Sequence, residues 1–476
     1  MSDSHEKRGS VYAENVIIGD KSSRLSSAIF ILLCIVPIFS TILFGAVDNV
    51  TWVFISIFGA AIVLLWITEA WKGKGFLLCP SAMQIPMIGL LLIGIVQLLP
   101  LGGGIGTDLA VPASRSLSMD PYGTRFFLLH LVIYIVFFVA CLTFINNESR
   151  LKKTFLMVII FGALMAFFGI LQRLANPDGI YGLRATPQAI PFGPFVNQHH
   201  FAAFMEMTAG LSIGLLFGKR MAKDKKILLA FALVVMLSAI VLTSSRGGML
   251  GIVSVTAFAA VIYFLSGRWS KDKRSVSDGA GIQQKAAVAA TAVALIFVVF
   301  GLVLFLGGND SLFRGLGITN IQDGVSNGRS HFWAIAVRIF LEHPILGAGL
   351  EAFGMVFTKH DTWSGQFRVE QAHNEYLQIL ADAGITGFLC VTAFIYFLFR
   401  KGLKTISDAH GLRRDVAIGA LAGCFGILIH SFFDFPMRTP SNAFFFLLLC
   451  ALATVSVKSN HSETSRHRRS STAPSQ

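Results

Sequence analysis

Two apolar runs, TRFFLLHLVIYIVFFVACLTFI (124–145) and TFLMVIIFGALMAFFGILQRLA (154–175), flank the short polar segment NNESRLKK (146–153). A helix built from either run rises about 33 Å, enough to cross the roughly 30 Å hydrocarbon core of a bilayer. The connection is short and basic, as expected for a turn between two spans on the cytoplasmic side. This stretch predicts a helical hairpin in a membrane.

Comparable apolar stretches recur along the whole chain. Hydrophobic residues make up 54% of the sequence and charged residues 14%, so the core is expected to form in lipid. We predict an all-α polytopic membrane protein with about twelve transmembrane helices and one transmembrane domain over residues 26–457. The predicted spans are 26–47, 50–71, 82–101, 124–145, 154–175, 200–218, 227–243, 248–266, 286–307, 384–400, 415–433 and 442–457.

The composition argues against several other classes of protein. The 43 Phe far outnumber the 7 Tyr and 6 Trp, so the aromatic side chains suit lipid better than stacking on bases, and no nucleic-acid partner is expected. The six cysteines form no CxxC pair and no cluster with histidine, which predicts core packing and no metal site. The first apolar run, Leu25 to Val47, is longer than the hydrophobic part of a signal peptide and is interpreted as a retained anchor.

The distribution of basic residues predicts the orientation. With the polar segment 1–25 in the cytoplasm, an even number of spans also places the tail 458–476 there, where its Ser- and Arg-rich composition predicts disorder. This arrangement puts 28 of the 39 Lys and Arg residues on the cytoplasmic side, as the positive-inside rule requires.

The eleven basic residues on the other side are almost all arginine. Arginine binds phosphate and carboxylate through a planar fork that lysine lacks, so this bias suggests an outer surface that handles anions. Snorkelling of single arginines at helix ends is the alternative. The eleven are Arg115, Arg125, Arg173, Arg184, Arg246, Arg314, Arg329, Arg338, Arg368, Arg438 and Lys359.

One outward segment, residues 308–383, is much longer than the others, and long loops usually carry function. Within it Phe332, Ile335, Ala336, Ile339 and Phe340 repeat at helical spacing. This pattern predicts an amphipathic helix that ends before a proline, with its apolar stripe toward lipid or toward the bundle.

Two arginines are the main candidates for binding an anion. Arg246 lies in a tight glycine-containing turn, where exposed N–H groups at the start of the next helix also favour an anion. Arg329 is predicted to lie at the N-terminal end of the amphipathic helix, where a cation is unfavourable unless an anion is near. An ordinary hairpin turn and an interfacial arginine remain the alternatives.

His373 is the candidate general base, because it precedes a predicted helix on the outward side and a neutral imidazole there could accept a hydroxyl proton. Asn374 or Glu375 could orient it, although a structural or capping role is equally compatible.

Further polar groups are predicted on the same side of the membrane. They are His199 and His200, with Glu206 two turns further along, and the pair His430 and Asp434. The last two residues are four positions apart and thus on one helical face. The further candidates are Arg338, Arg184, Asn374, Tyr376, His430, Asp434 and Arg438.

These residues resemble the bacterial O-antigen ligase and O-antigen polymerase family, membrane glycosyltransferases of surface-polysaccharide assembly. The resemblance spans most of the chain, and its most specific element is the long loop ending in His373-Asn374-x-Tyr376-Leu377. Ser245-Arg246-Gly247, and Gly328-Arg329 with Trp333, match in order and side. Before the sixth span, His199 stands where the family commonly has asparagine.

The resemblance implies a multi-pass protein of the bacterial inner membrane, with the loop 308–383 in the periplasm. It implies transfer of a glycan from undecaprenyl diphosphate to an acceptor hydroxyl, inverting, without cofactor or required metal. The acceptor would be lipid A-core sugar in a ligase or a growing glycan in a polymerase, and other polysaccharide-assembly proteins are potential partners. Arg246 and Arg329 would bind the diphosphate and His373 would act as base.

Two rival functions remain open. A transporter or flippase of lipid-linked oligosaccharide would also use about twelve spans, but related halves and charges at mid-membrane are not evident apart from Glu206. A non-catalytic assembly subunit would carry the same arginines and histidines as surface residues only.

Overall fold

The computed structural model describes residues 23–101, 115–175, 179–187, 189–218, 221–269, 285–295, 297, 298, 301, 324–362 and 369–457. The predicted tail 458–476 and nearly all of the predicted segment 1–25 lie outside the described residues, as do Arg314 and Arg368. The described part is predominantly helical. Only one small sheet is present in it, the antiparallel hairpin of β1 (Gly179–Ile180) and β2 (Arg184–Ala185).

Eight of the described helices are long and apolar enough to cross a membrane. The chain is therefore a polytopic membrane protein, whereas the number of twelve spans stays a prediction. The eight are α1 (Arg24–Ile42), α2 (Asn49–Lys72), α4 (Pro121–Phe144), α5 (Glu148–Ala175), α6 (Gln198–Phe217), α7 (Lys223–Leu242), α8 (Arg246–Trp269) and α12 (Glu375–Asp408).

The other described helices are shorter or more polar. Three of them are apolar but have only 10–17 residues: α3 (Gln84–Gln97), α9 (Lys285–Leu295) and α14 (Pro440–Thr454). The remaining ones are α10 (Gly324–Glu342), α11 (Phe353–His360), α13 (Leu412–His430) and two short 3₁₀ turns, Phe44–Ala46 and Pro436–Arg438.

The bundle is built around α6, which is buried along nearly its whole length. It packs closely against α13, where Gly214 lies against the backbone of Gly419 and Gly210 against that of Gly423. Small residues let membrane helices approach each other this closely. As a result, polar side chains at the start of α6 are enclosed by α8 and α13.

The predicted amphipathic helix exists as α10, and its apolar stripe packs on protein. Ile335, Ala336 and Ile339 are buried in one cluster with residues of α11 and the start of α12. The helix begins at Gly324, so Arg329 is its sixth residue, in the second turn. The expectation that Arg329 lies at the N-terminal end is therefore wrong, because the helix starts earlier than the predicted segment.

The element α12 joins two helical stretches across a kink at Gly384, which has φ +63° and ψ −163°. The whole element packs on α3 and α10, and the stretch after the kink carries the predicted span 384–400. Because of this kink, α12 bends between its membrane-spanning stretch and its first part, which begins two residues after His373. We call the end of the bundle that carries His200, Arg246, His373 and Asp434 the polar end.

Candidate functional site

His373 and Asp434 form the centre of the candidate site. The imidazole Nδ1 of His373 lies 3.2 Å from Asp434 Oδ1, and Asp434 is almost completely buried. The backbone N–H of Phe435 donates to the same carboxylate oxygen at 2.9 Å. Asp434 is thus held by a local backbone contact and by a side chain 61 residues away in sequence.

Local structure fixes the position of His373. The following residue, Asn374, caps α12 by accepting from the N–H groups of Tyr376 and Leu377 at 3.0 and 3.1 Å. His373 itself has φ +52°, a conformation that is uncommon for residues other than glycine and that requires support from its surroundings. The rings of Phe332 and Phe435 lie 6.0 and 4.7 Å from the imidazole, so the ring is packed as well as hydrogen-bonded.

Asp434 is expected to be ionised. Burial by itself raises its pKa, but the hydrogen bond from His373 and the nearby imidazoles of His199 and His200 bring the pKa of Asp434 below its usual range. An ionised carboxylate only accepts hydrogen bonds. His373 therefore carries its proton on Nδ1, which leaves Nε2 free to accept one.

Arg329 approaches the same carboxylate from α10. Its Nη2 lies 3.9 Å from Asp434 Oδ2, and 31% of its side chain is exposed. The contact is long and uses one end of the guanidinium. The other N–H groups of Arg329 can still reach an anionic ligand.

Arg246 is the first residue of α8 and is exposed, and within the described part of the chain it has no hydrogen bond or ion pair. The next residue, Gly247, lies against the imidazole of His430, where a Cβ atom would come within 2.5 Å of Cδ2. His430 in turn pairs through Nδ1 with Glu206 Oε1 at 2.7 Å. Glycine at 247 therefore lets the start of α8 approach this buried pair.

The spacing argument for His430 and Asp434 fails. The helix α13 ends at His430, so Asp434 lies in the following turn and the two residues do not share a helical face. His430 bonds with Glu206 of α6, whereas Asp434 bonds with His373. The sequence separation of four could not reveal that the helix stops between them.

Arg438 is enclosed by three carboxylates. It forms an ion pair with Glu351, lies 2.9 Å from Asp382 Oδ2 through Nη2 and 3.7 Å from Glu375 Oε2 through Nε. Although burial alone lowers the pKa of Arg438, these carboxylates raise it above its usual range. The positive charge of Arg438 is thus neutralised within the protein, so this arginine is a poor candidate for binding the diphosphate.

The remaining candidates have structural partners. Arg184 pairs with Asp48 and lies over the ring of Phe44, which ties the β-hairpin to the connection between α1 and α2. Arg338 pairs with Glu342 one turn along the exposed face of α10. The Tyr376 hydroxyl donates to the carbonyl of Leu428 at 2.8 Å, and Asn374 is the helix cap described above.

A cavity of about 840 Å³ opens beside His373. Of the three main candidates, only His373 lines it, while Arg246 and Arg329 lie outside its wall. The wall includes His130, His200, Glu351, Glu370 and Gln371. Of these five residues, the sequence analysis named only His200, as part of the pair His199 and His200. The aromatic side chains in the wall are Trp52, Tyr122, Phe126, Phe127, Tyr134, Phe332 and Phe435.

The sequence offered one signal for the surroundings of Arg438, which lines this cavity. Glu375 and Asp382 stand in an otherwise apolar stretch close to a predicted span, where unpaired carboxylates are costly. Their shared partner, Arg438, is more than fifty residues away. Among the described residues, no group of three or more His, Cys, Asp or Glu side chains is arranged to hold a metal ion.

Comparison with protein-family models gives one match. Residues 231–392 match the model described as O-Antigen ligase, which confirms the resemblance drawn from the sequence. The matched segment covers about a third of the chain and includes Arg246, Arg329 and His373, whereas Asp434 and Arg438 lie beyond its end. Comparison with curated proteins gives no match.

Proposed function

From the match of residues 231–392 to the O-antigen ligase family, we propose that this chain is a membrane glycosyltransferase of that type. It transfers an oligosaccharide or polysaccharide from undecaprenyl diphosphate to a hydroxyl of an acceptor glycan. The observation that carries the proposal is the contact of His373 Nδ1 with Asp434 at 3.2 Å, with Arg329 on the other oxygen of the same carboxylate.

His373 acts as the general base. Asp434 accepts the Nδ1 proton and so keeps Nε2 unprotonated, oriented and available to an acceptor hydroxyl. The buried carboxylate of Asp434 also stabilises the imidazolium that forms when the proton arrives. The cavity beside His373 gives the acceptor a route to this atom.

Arg246 and Arg329 bind the diphosphate of the donor. Arg246 is exposed and without a partner in the described part of the chain, so its charge is available, and Arg329 uses only one long contact on Asp434. Two guanidinium groups can stabilise the negative charge that grows on the leaving diphosphate. We propose that this stabilisation needs no bound metal.

The transfer is a single displacement. The acceptor oxygen forms a bond to the anomeric carbon of the donor as the bond from that carbon to the diphosphate oxygen breaks, and its electron pair leaves with the diphosphate. The hydroxyl proton passes to His373 Nε2 and is later released to water. Attack opposite the leaving group inverts the anomeric centre, and undecaprenyl diphosphate is the second product.

We further propose that the chain lies in the bacterial inner membrane with about twelve spans and both termini in the cytoplasm. The polar end then faces the periplasm together with the loop 308–383. The support is the concentration of Lys and Arg on the opposite side, 28 of 39 by sequence. Whether the protein is a ligase or a polymerase depends on the acceptor.

The test is an in vitro transfer assay with purified protein, an undecaprenyl-diphosphate-linked glycan and candidate acceptors. Wild type should form product, and His373→Ala and Arg246→Ala at matched amounts should each lose it by a factor of about 10² or more. Arg338→Ala is the matched control, since this arginine pairs only with Glu342 on an exposed face. Wild-type rates in both site variants would refute the site, and no transfer by wild type with any acceptor would favour a transporter.

A further inference from the structure

We propose that Glu206 and His430 are positioning residues, which hold the cation for the diphosphate at a fixed separation from the base and its carboxylate. This inference rests on the proposed function, because it concerns the arrangement of Arg246, His373 and Asp434. In this role the pair touches no substrate and acts through the helix ends that it joins.

The pair lies inside the bundle, between α6 and α13. His430 Nδ1 is 2.7 Å from Glu206 Oε1, and the two side chains are 1% and 0% exposed. Glu206 Oε2 has no hydrogen-bond partner within the described part of the chain. A carboxylate buried at this depth is costly, and apolar side chains of similar size often serve a core equally well. Stability alone therefore does not explain why the pair is present.

The first two turns of α8 rest directly on the pair. A Cβ atom at Gly247 would lie 2.5 Å from His430 Cδ2. One at Gly251 would overlap the carboxylate of Glu206. The two glycines are four residues apart and share one face of the helix, so the α8 backbone lies against both partners. Because Arg246 is the first residue of α8, the pair determines where its backbone lies.

The main chain of His430 leads into the turn that carries Asp434. His430 is the last residue of α13, and Asp434 follows four positions later. Between them, the carbonyl of Ser431 accepts from the backbone N–H of Glu375 at 3.0 Å. Glu375 is the first residue of α12 and stands two positions after His373. The same turn is therefore tied to the carboxylate and to the segment that bears the base.

The pair is thus the junction between two halves of the candidate site. One half is the start of α8 with Arg246, and the other is the turn with Asp434 together with the start of α12. In a displacement, the leaving diphosphate and the attacking hydroxyl are on opposite sides of one carbon atom. The groups that act on them must keep their separation, since a misplacement of about 1 Å can cost about 10²-fold in rate.

The experiment is a double-substitution cycle in the transfer assay, with Glu206→Ala, Arg246→Ala and the variant that carries both. Glu206→Ala should lower kcat/KM for the donor by a factor of about 10 to 10² and leave the KM for the acceptor unchanged. In the Arg246→Ala background it should have little further effect, because the group that it positions is gone. A loss in the double variant equal to the product of the two single losses would overturn the inference, since a general structural role predicts it.

Three further variants separate the contact from general damage to the bundle. Glu206→Gln keeps the size of the side chain and an oxygen that accepts from His430, so it should recover most of the activity lost in Glu206→Ala. Gly251→Ala tests the contact from α8, in a protein that keeps the pair, and should lower kcat/KM for the donor only while Arg246 is present. Ser212→Ala is the matched control, since its buried hydroxyl donates to the Thr208 carbonyl within α6 at 3.3 Å, and it should keep wild-type kinetics.

Wild-type kinetics in Glu206→Ala and Gly251→Ala, or a Glu206→Gln variant as poor as Glu206→Ala, overturn the inference while the proposed function stands. If wild type transfers to no acceptor, the proposed function fails and binding of undecaprenyl diphosphate decides. This lipid should then raise the Tm of wild type, raise that of Glu206→Ala less, and have no smaller effect on the double variant than on Arg246→Ala. No rise in wild type, or an equal rise in Glu206→Ala, would overturn the inference in that case also.

Discussion

Asp434 connects the candidate base to one of the candidate cations. Its Oδ1 lies 3.2 Å from His373 Nδ1, and its Oδ2 lies 3.9 Å from Arg329 Nη2. Because Asp434 is buried, water is kept from competing for these contacts. Removing the charge while keeping the shape separates the electrostatic role of this residue from packing. Asp434→Asn is therefore the most informative single substitution at the residue scale.

We expect Asp434→Asn to lower kcat by about 10² or more and to leave the KM for the acceptor nearly unchanged. An amide can donate to Nδ1, which favours the tautomer with its proton on Nε2, and it cannot stabilise the imidazolium as a carboxylate does. The measurement is the transfer assay with both substrates varied. A variant that keeps the wild-type kcat would mean that Asp434 only positions its loop.

Stability as a function of pH provides the control for this substitution. Since the pKa of Asp434 is lower in the folded protein than in the unfolded chain, its contribution to the free energy of unfolding is complete above about pH 4 and is lost as the pH falls further. Wild type should thus lose Tm relative to Asp434→Asn as the pH falls from about 5 to about 3, because the variant has no carboxyl at this position to protonate. A Tm difference that stays the same over this interval would contradict a lowered pKa of Asp434 in the folded protein.

Single residues were predictable from sequence where their chemistry is local. Arg246 and His373 stood out because a glycine turn and a helix start are visible in the neighbouring residues. The partners of Arg438 were not visible, since Glu351, Asp382 and Glu375 reach it from 56 or more positions away. A charge can be noticed in a sequence, but its neutralisation depends on contacts that only the fold creates.

At the scale of elements, α12 depends on the kink at Gly384. Its φ of +63° lies in the region that favours glycine, and a Cβ atom there would overlap the backbone carbonyl of Ile345. The kink directs the first part of α12, with Asp382 and the preceding His373, toward the polar end. Strain at this position would therefore affect both stability and the site.

Gly384→Ala should destabilise the protein by about 2 kcal/mol or more, because the side chain meets backbone that cannot move aside. The measurement is the thermal transition of the protein purified in detergent, together with the fraction that elutes as a single species. Gly59→Ala in α2 is the matched control, as its Cβ would meet the Ile133 side chain at an ordinary 3.8 Å and alanine favours the helix. Equal transitions for the two variants would contradict the role given to the kink.

Elements were predicted well where the apolar run itself decides them and less well at their ends. The stripe through Ile335, Ala336 and Ile339 identified α10, yet its first residue was missed because the turn before Arg329 carries no apolar pattern. The end of α13 at His430 was missed for a related reason. The apolar residues Phe432 and Phe433 continue the hydrophobic run after the helix has stopped.

At the scale of the whole molecule, the candidate site is assembled from parts that are far apart in sequence. The start of α6 supplies His200 and Glu206, the start of α8 supplies Arg246, α10 supplies Arg329, and the turn after α13 supplies Asp434. Hydropathy predicts that each helix exists but not which helix ends meet. The distribution of charge does, however, predict on which side of the membrane they meet.

We expect the polar end to face away from the cytoplasm, which labelling of single added cysteines can test. Lys359→Cys in α11 is on the predicted outer side and 60% exposed, and Lys404→Cys, exposed in the last part of α12, is on the predicted inner side. A membrane-impermeant maleimide should label the first variant in cells with a permeabilised outer membrane, and the second only after the inner membrane is also opened. The parent chain, which retains its six native cysteines, gives the background. The reverse pattern would put Arg246, Arg329 and His373 on the cytoplasmic side, where a periplasmic acceptor could not reach them, so this one result bears on every step proposed for the site.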